Sequence, residues 1–273
     1  MLDEEKPTDA PPEDWSSLEW TEDLQRAAGF LTWVPIPGKT DGAFDLRRAS
    51  RAFAVTGALI GFAAGVVVIL CASLGMSSLM SAALTILAMV IVTGALHEDG
   101  LADTVDGFWG AADRENKLRI MRDSRIGTFG VLALLFSVLI RVAALEQILS
   151  EGAFEAAAAL VAAGAVSRHG MVALMRRSAN ARSEGLAYSA GTPWAGAEKT
   201  SLITALAIGA AAAWLASGIV GVLVAGALAV IAFIGVKELA RHHIGGHTGD
   251  VCGAVQQITE IAVLIGLAVT AGD

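Results

Sequence analysis

Cysteine is almost missing from this chain, with two in 273 residues, Cys71 and Cys252, both at or in apolar runs. That excludes a disulfide framework and a cysteine-based zinc site. Charge is also scarce, at 17% of residues against 55% hydrophobic, a balance rarely shown by a soluble globular domain of this length. Aromatic residues make up 6% while glycine numbers 30, which favours closely packed helices over a wide cavity. The first thirty residues are acidic and proline-bearing rather than basic and then apolar, so no cleavable signal peptide is expected. There is no basic stripe for nucleic acid, no internal repeat, and no low-complexity tract beyond alanine-rich helix. The net charge of −8 resides largely in the amino-terminal tail and says little about partners.

Long apolar runs are what the chain does have. Segments able to cross about 30 Å of hydrocarbon as helix lie near 52–72, 78–97, 128–149, 153–175, 201–217, 219–236 and 251–271. The short pair around Ser217-Gly218 reads as a tight hairpin or one broken unit. Of the 19 Lys and Arg, only Arg141 and Arg168 fall inside runs. The others occupy 1–51, 98–127, 176–200 and 237–250, while the opposite connections carry none. The positive-inside rule then puts the amino terminus and these loops in the cytoplasm. The expected fold is all-α: a polytopic membrane helix bundle of about seven spans plus a cytoplasmic amphipathic helix. Residues 1–27 read as an acidic, disordered or surface-lying tail, and 28–273 as a single membrane-embedded catalytic domain. Trp15, Trp20 and the run 30–37 form a candidate interfacial anchor.

Directly after an apolar run comes His97-Glu98-Asp99-Gly100-Leu101-Ala102-Asp103-Thr104-Val105-Asp106-Gly107. If the preceding helix continues through it, Asp99, Asp103 and Asp106 share one face within roughly 60°, and Glu98 points away. Three carboxylates so close repel one another unless a cation lies between them, and hard oxygen ligands suit magnesium. A solvated helix cap is the plainer reading, but it gives no reason for three aspartates on one face among small residues.

Three further polar clusters stand out. Arg122-Asp123-Ser124-Arg125 ends an amphipathic stretch begun at Asp113, and is either a solvated helix end or a phosphate grip. Arg241-His242-His243-Ile244-Gly245-Gly246-His247-Thr248-Gly249-Asp250 favours a glycine turn whose amides face an anion over a transition-metal site, with Asp250 as a further ligand or general base. The loop 176–186, which includes Arg182, is an ordinary basic loop or an anion clamp. Glu260, deep in the last run, is a buried ion-pair partner of Arg141 or Arg168, or a substrate contact.

The acidic block, the block Ile120-Met121-Arg122-Asp123-Ser124-Arg125-Ile126-Gly127-Thr128-Phe129-Gly130, and Gly246-His247-Thr248-Gly249-Asp250-Val251-Cys252-Gly253-Ala254 closely resemble, in order, the hallmark blocks of the adenosylcobinamide-GDP ribazoletransferase (cobalamin synthase) family. Phe30-Leu31-Thr32 and Pro35-Ile36-Pro37 look like its opening block, so the resemblance spans about 28–265. Where that family continues the last block with Ala-Thr-Asn-Glu, this chain has Ala254-Val255-Gln256-Gln257 and supplies a carboxylate later, at Glu260.

The resemblance implies a magnesium-dependent enzyme of the bacterial inner membrane with its active site facing the cytoplasm. It implies that α-ribazole or its 5′-phosphate attacks adenosylcobinamide-GDP, giving adenosylcobalamin or its 5′-phosphate and GMP. It leaves other cobalamin-assembly enzymes and a second copy of the chain open as partners. On this reading Asp99, Asp103 and Asp106 hold magnesium, and Asp123 or Asp250 orients the metal or takes the attacking hydroxyl's proton. Arg122, Ser124, Arg125, Arg182, His247, Thr248, Gly249 and Glu260 are the expected phosphate or substrate contacts. The competing readings are a CDP-alcohol or lipid phosphotransferase with the same metal chemistry, and a transporter.

Overall fold

The computed structural model describes residues 19–36 and 46–272. Trp15 and Pro37 of the expected anchor lie outside these. Among the described residues regular structure is helical, apart from one isolated bridge between Asn180 and His247. The helices are α1 (Trp20–Leu31), α2 (Phe53–Ser73, preceded by a 3₁₀ turn at Ala49–Ala52), α3 (Ser78–Thr93), α4 (Leu96–Gly110), α5 (Arg114–Ile120), α6 (Thr128–Glu151), α7 (Ala153–Arg177), α8 (Leu186–Ala190), α9 (Ala195–Ile244) and α10 (Gly249–Ala268).

Every expected apolar run is helical, and among the described residues five helices are individually long and apolar enough to cross a membrane: Ala49–Ser73, α6, α7, α9 and α10. α9 has 50 residues, about 75 Å if straight, more than twice a hydrocarbon core. Its backbone leaves helical geometry at Ser217 and Gly218. Glu198 near its start pairs with Arg177 at the end of α7, and its final carbonyl, at Ile244, accepts from Arg114 on the same loop face. Its middle, at Ser217 Oγ, lies 2.8 Å from Thr270 Oγ1 beyond the far end of α10. α9 therefore reverses at Ser217-Gly218, resolving the short pair as a hairpin.

Small residues set the packing. Gly57, Gly61 and Gly65 of α2 lie directly on Gly164, Leu160 and Ala157 of α7, so close that a Cβ at Gly57 would stand 2.1 Å from the Gly164 carbonyl oxygen. In lipid, where apolar burial drives little association, such backbone approach supplies the dispersion contact.

Two expectations need correction. The run 78–97 is not one helix. α3 stops at Thr93, Gly94 and Ala95 both take left-handed geometry (φ 60° and 57°), and α4 leaves at 89°. The acidic block thus has a helix of its own at the end of α3, outside the long apolar helices. Of the expected tail, residues 1–18 lie outside the described ones, and from Trp20 onward the chain is helical rather than disordered. α1 is a docked helix in which Asp23 is fully buried, accepting from Arg48 Nε at 2.8 Å and Arg51 Nε at 2.5 Å. Arg51 in turn covers the Trp20 ring. Two arginines downstream of α1 neutralise this acid, which is why an acidic stretch folds here.

A buried ion network joins four helices in the interior. Glu260 of α10 accepts from Arg168 of α7 at 2.6 Å, from Arg141 of α6 at 3.3 Å, and from Gln256 Nε2 at 2.7 Å. Arg141 also donates to Glu98 of α4 at 3.1 Å, as does Gln257. Glu260 and both arginines are about 1% exposed. Glu260 is thus the ion-pair hub of the bundle and not the expected substrate contact.

Removing one member strands its partner's charge in low dielectric, at a cost of about 3–5 kcal/mol. Arg168→Ala should lower the unfolding free energy in bicelles by that amount, while Arg241→Ala, which breaks the exposed Arg241–Glu238 pair, should change it by less than about 1 kcal/mol. Equal effects from the two variants would show that the buried network does not hold the bundle.

Candidate active site

α4 carries Asp99, Asp103 and Asp106 at helical spacing, but they do not share one task. Asp106 is buried, and its two carboxylate oxygens accept the backbone N–H groups of Gly127 at 2.7 Å and Gly130 at 2.8 Å. These are amides at the start of α6, whose N-cap, Gly127, has no side chain to cap with. Asp106, expected as a metal ligand, takes the place of the missing cap and neutralises the positive end of α6.

Asp250 is the carboxylate that approaches Asp99 and Asp103. It reaches them because α4 and α10 cross at Gly100 and Gly253. A Cβ on Gly100 would stand 2.7 Å from the Asp250 carbonyl oxygen, and one on Gly253 would stand 3.1 Å from that of His97. Partial burial and the repulsion of Asp99, Asp250 and Asp106 push the Asp103 carboxyl up to about 7, opposed by Arg182. Among the described residues no three His, Cys, Asp or Glu side chains are gathered into a ready metal cage. The aspartates are near enough to repel without closing on a common point.

The turn before α10 is built by the loop 179–186. His247 N–H donates to the Ala179 carbonyl and Ala181 N–H to that of His247, both at 2.8 Å, and His247 Nδ1–H adds a bond to Ala179 at 3.0 Å. Burial holds the His247 imidazole below its ordinary range, so it is neutral. Thr248 caps α10 by accepting from Val251 N–H, and its hydroxyl donates to Asp250 Oδ2 at 3.1 Å. Arg182 is anchored through Leu118 O at 3.0 Å, with Nη1 at 3.8 Å from Asp250. Arg114, which the sequence did not single out, donates to Ile244 O at 2.7 Å and Ala181 O at 2.6 Å, pinning this loop to the end of α9. Its only sequence signal is a position just after the Asp113 cap of α5.

Together these segments line a cleft of about 170 Å³ that includes Asp99, Arg182, His247, Thr248, Gly249 and Asp250. Arg122, Asp123, Ser124 and Arg125 do not line it. Arg125 grips both oxygens of Asp123, at 3.0 and 2.7 Å, and holds that carboxyl down at about 2. Ser124 and Arg125 are exposed. Arg122 pairs at 2.5 Å with Glu184, a residue of the cleft wall, and so touches the site only through it. The cation at the carboxylates is Arg182. The histidines do not converge either, since His243 stacks on Phe108 and accepts from Lys117 Nζ at 2.9 Å.

A carboxyl whose folded pKa is raised binds more protons folded than unfolded, so its contribution to stability is largest at low pH and is lost as pH rises through about 7. The metal-free protein should lose thermal stability between roughly pH 4 and pH 7, and Asp103→Asn should flatten that loss. Parallel profiles for the two proteins would disprove the crowding. Asp106→Ala should act differently, lowering stability by about 1–2 kcal/mol through loss of the α6 cap.

The chain matches the family described as cobalamin-5-phosphate synthase over residues 23–268. The protein named adenosylcobinamide-GDP ribazoletransferase from Azorhizobium caulinodans is 42% identical over 253 residues, covering 91% of this chain and 96% of its own length. Its namesake from Sinorhizobium medicae is 44% identical over 255 residues, with 92% and 97% covered. No solved structure matches the chain. With nearly the whole length aligned on both sides, this chain belongs to the cobalamin-5-phosphate synthase family.

Proposed function

We propose that this membrane protein is an adenosylcobinamide-GDP ribazoletransferase. A ribose hydroxyl of α-ribazole or its 5′-phosphate attacks the phosphorus on the cobinamide side of the diphosphate. A new phosphodiester P–O bond forms, the P–O–P bond breaks, and GMP leaves. The observation that carries this reading is the cleft, lined by Asp99 and Asp250 beside Arg182 and an amide-lined turn, with Asp103 outside its lining yet near enough to be repelled by both carboxylates. Such a site suits an anionic diphosphate bound with a divalent cation better than an anion alone, because three carboxylates would repel the latter.

The donor set fits magnesium. It is all oxygen, its middle member is destabilised by its neighbours, and no closed cage is needed, since magnesium keeps several waters and is commonly held by one or two carboxylates plus substrate phosphates. Asp99 and Asp103 would hold it, and when bound it neutralises charge developing on the diphosphate. Asp250, fixed by Thr248, is placed to accept the hydroxyl's proton. Arg182 pairs with a phosphate oxygen, and the free amides at the start of α10 face the same anion. The distribution of Lys and Arg supports an inner-membrane location with this cleft toward the cytoplasm.

Purified protein in lipid, given adenosylcobinamide-GDP, α-ribazole 5′-phosphate and magnesium, should release GMP and a joined corrinoid in equal amounts by mass spectrometry. Asp103→Asn and Asp250→Asn should each lower kcat by on the order of 10²-fold or more without altering membrane insertion. Turnover of a CDP adduct with a lipid alcohol in place of the GDP donor would instead assign the chain to lipid phosphotransfer.

A further inference from the structure

Only part of the cleft wall is polar. Asp99 and Asp250 come from α4 and α10 and Arg182 from the loop between α7 and α8, whereas α1, α7 and α8 contribute Phe30, Met171, Met175, Leu186 and Tyr188. Met171 and Met175 are buried, at 3% and 6% exposure, and form a fixed floor. Leu186 and Tyr188 are 57% and 53% exposed, an apolar pair on a five-residue helix within an otherwise polar loop. Tyr188 is the chain's sole tyrosine. Phe30 is braced from behind by Phe53, with ring centroids 6.0 Å apart.

The opening, about 170 Å³, is smaller than the roughly 300 Å³ at which pockets for whole drug-sized ligands begin, so it holds part of a substrate. A corrin macrocycle is too large for it. The acceptor α-ribazole is different, being a ribose joined to a planar, methyl-bearing benzimidazole, a bicyclic ring of suitable size with little to hydrogen-bond. A wall of two thioethers and two aromatic rings suits such a ring: thioether sulfur makes favourable contacts with aromatic edges, and tyrosine offers a rigid stacking face. The continuity of this wall with Asp250 is what a nucleoside acceptor requires, since its base must lie a ribose length from the base catalyst.

We propose that the apolar part of the cleft seats the aromatic base of the acceptor, with Tyr188 stacking over it as the contact that selects a planar apolar base. This rests on the reaction proposed above. Because recognition here is by shape and apolarity, a benzimidazole binds better than a purine of similar size, whose ring nitrogens would lose their water partners against methionine.

The test uses the full chain in nanodiscs, comparing wild type, Tyr188→Ala and Tyr188→Phe. Two quantities are read: KM for each substrate during turnover, and the Kd of α-ribazole alone by calorimetry without donor. Tyr188 is exposed and bears no core packing, so its variants should fold. Tyr188→Ala should raise both the KM and the Kd for α-ribazole about tenfold and leave the KM for adenosylcobinamide-GDP within twofold, and Tyr188→Phe should restore wild-type values. Wild-type turnover with an α-ribazole Kd indifferent to Tyr188→Ala would overturn the subsite and leave the reaction standing. Equal rises in both KM values would make Tyr188 a general cleft residue and also overturn it. An α-ribazole KM insensitive to Tyr188 but altered by exchanging lipid for detergent would assign the pocket to an acyl chain. If wild type neither binds α-ribazole nor releases GMP, the reaction itself falls, and the subsite with it.

Discussion

The interior of this bundle is organised around one carboxylate, Glu260, held between two arginines from different helices. In a medium where a lone charge is prohibitively expensive, each member of the set has no alternative to its partners, which makes the contacts geometrically exacting. Arg141 reaches both Glu260 on α10 and Glu98 on α4, so the relative placement of those helices is tied to a charge pairing. The same two helices carry the cleft carboxylates. Glu98 is the immediate neighbour of Asp99, and Glu260 follows Asp250 on one helix. The network that neutralises charge inside thereby also sets where charge gathers outside.

The cleft shows the opposite arrangement. There like charges are crowded and only partly compensated, with Arg182 at 3.8 Å from Asp250 as the nearby cation. Such crowding is poor for stability and suits a site that binds a cation together with an anionic substrate. The glycines at the crossing of α4 and α10 are what allow it, since any side chain there would separate the carboxylates. Close approach, allowed by small residues throughout the bundle, here also brings the carboxylates of α4 and α10 together.

Much of this was legible in the chain alone. The apolar runs are helical, with 78–97 broken at Gly94-Ala95, the acidic block is helical with its aspartates at helical spacing, and the glycine turn does begin the last helix. These are local properties, written as periodicity, hydropathy and capping within a few residues. The misread positions depend on partners distant in sequence. Asp106 looks equivalent to Asp99 and Asp103 until α6, some twenty residues later, presents an uncapped end to it. Arg122 and Arg125 lie beside the motif in sequence, yet Arg182, from another loop, is the residue that faces it. Asp23 resembles any tail acid until Arg48 and Arg51 enclose it.

By itself the sequence determined the membrane character, the all-helical architecture and the family, because each depends on composition or on contiguous blocks of residues. Tertiary structure alone decided the 89° turn between α3 and α4, the reversal of α9, and the division of labour among the carboxylates. It also decided that Glu260 belongs to the core and Asp250 to the cleft. The physical reason is that the state and role of an ionisable group are set by the nearest charges and amides in space, and a linear chain does not state those distances.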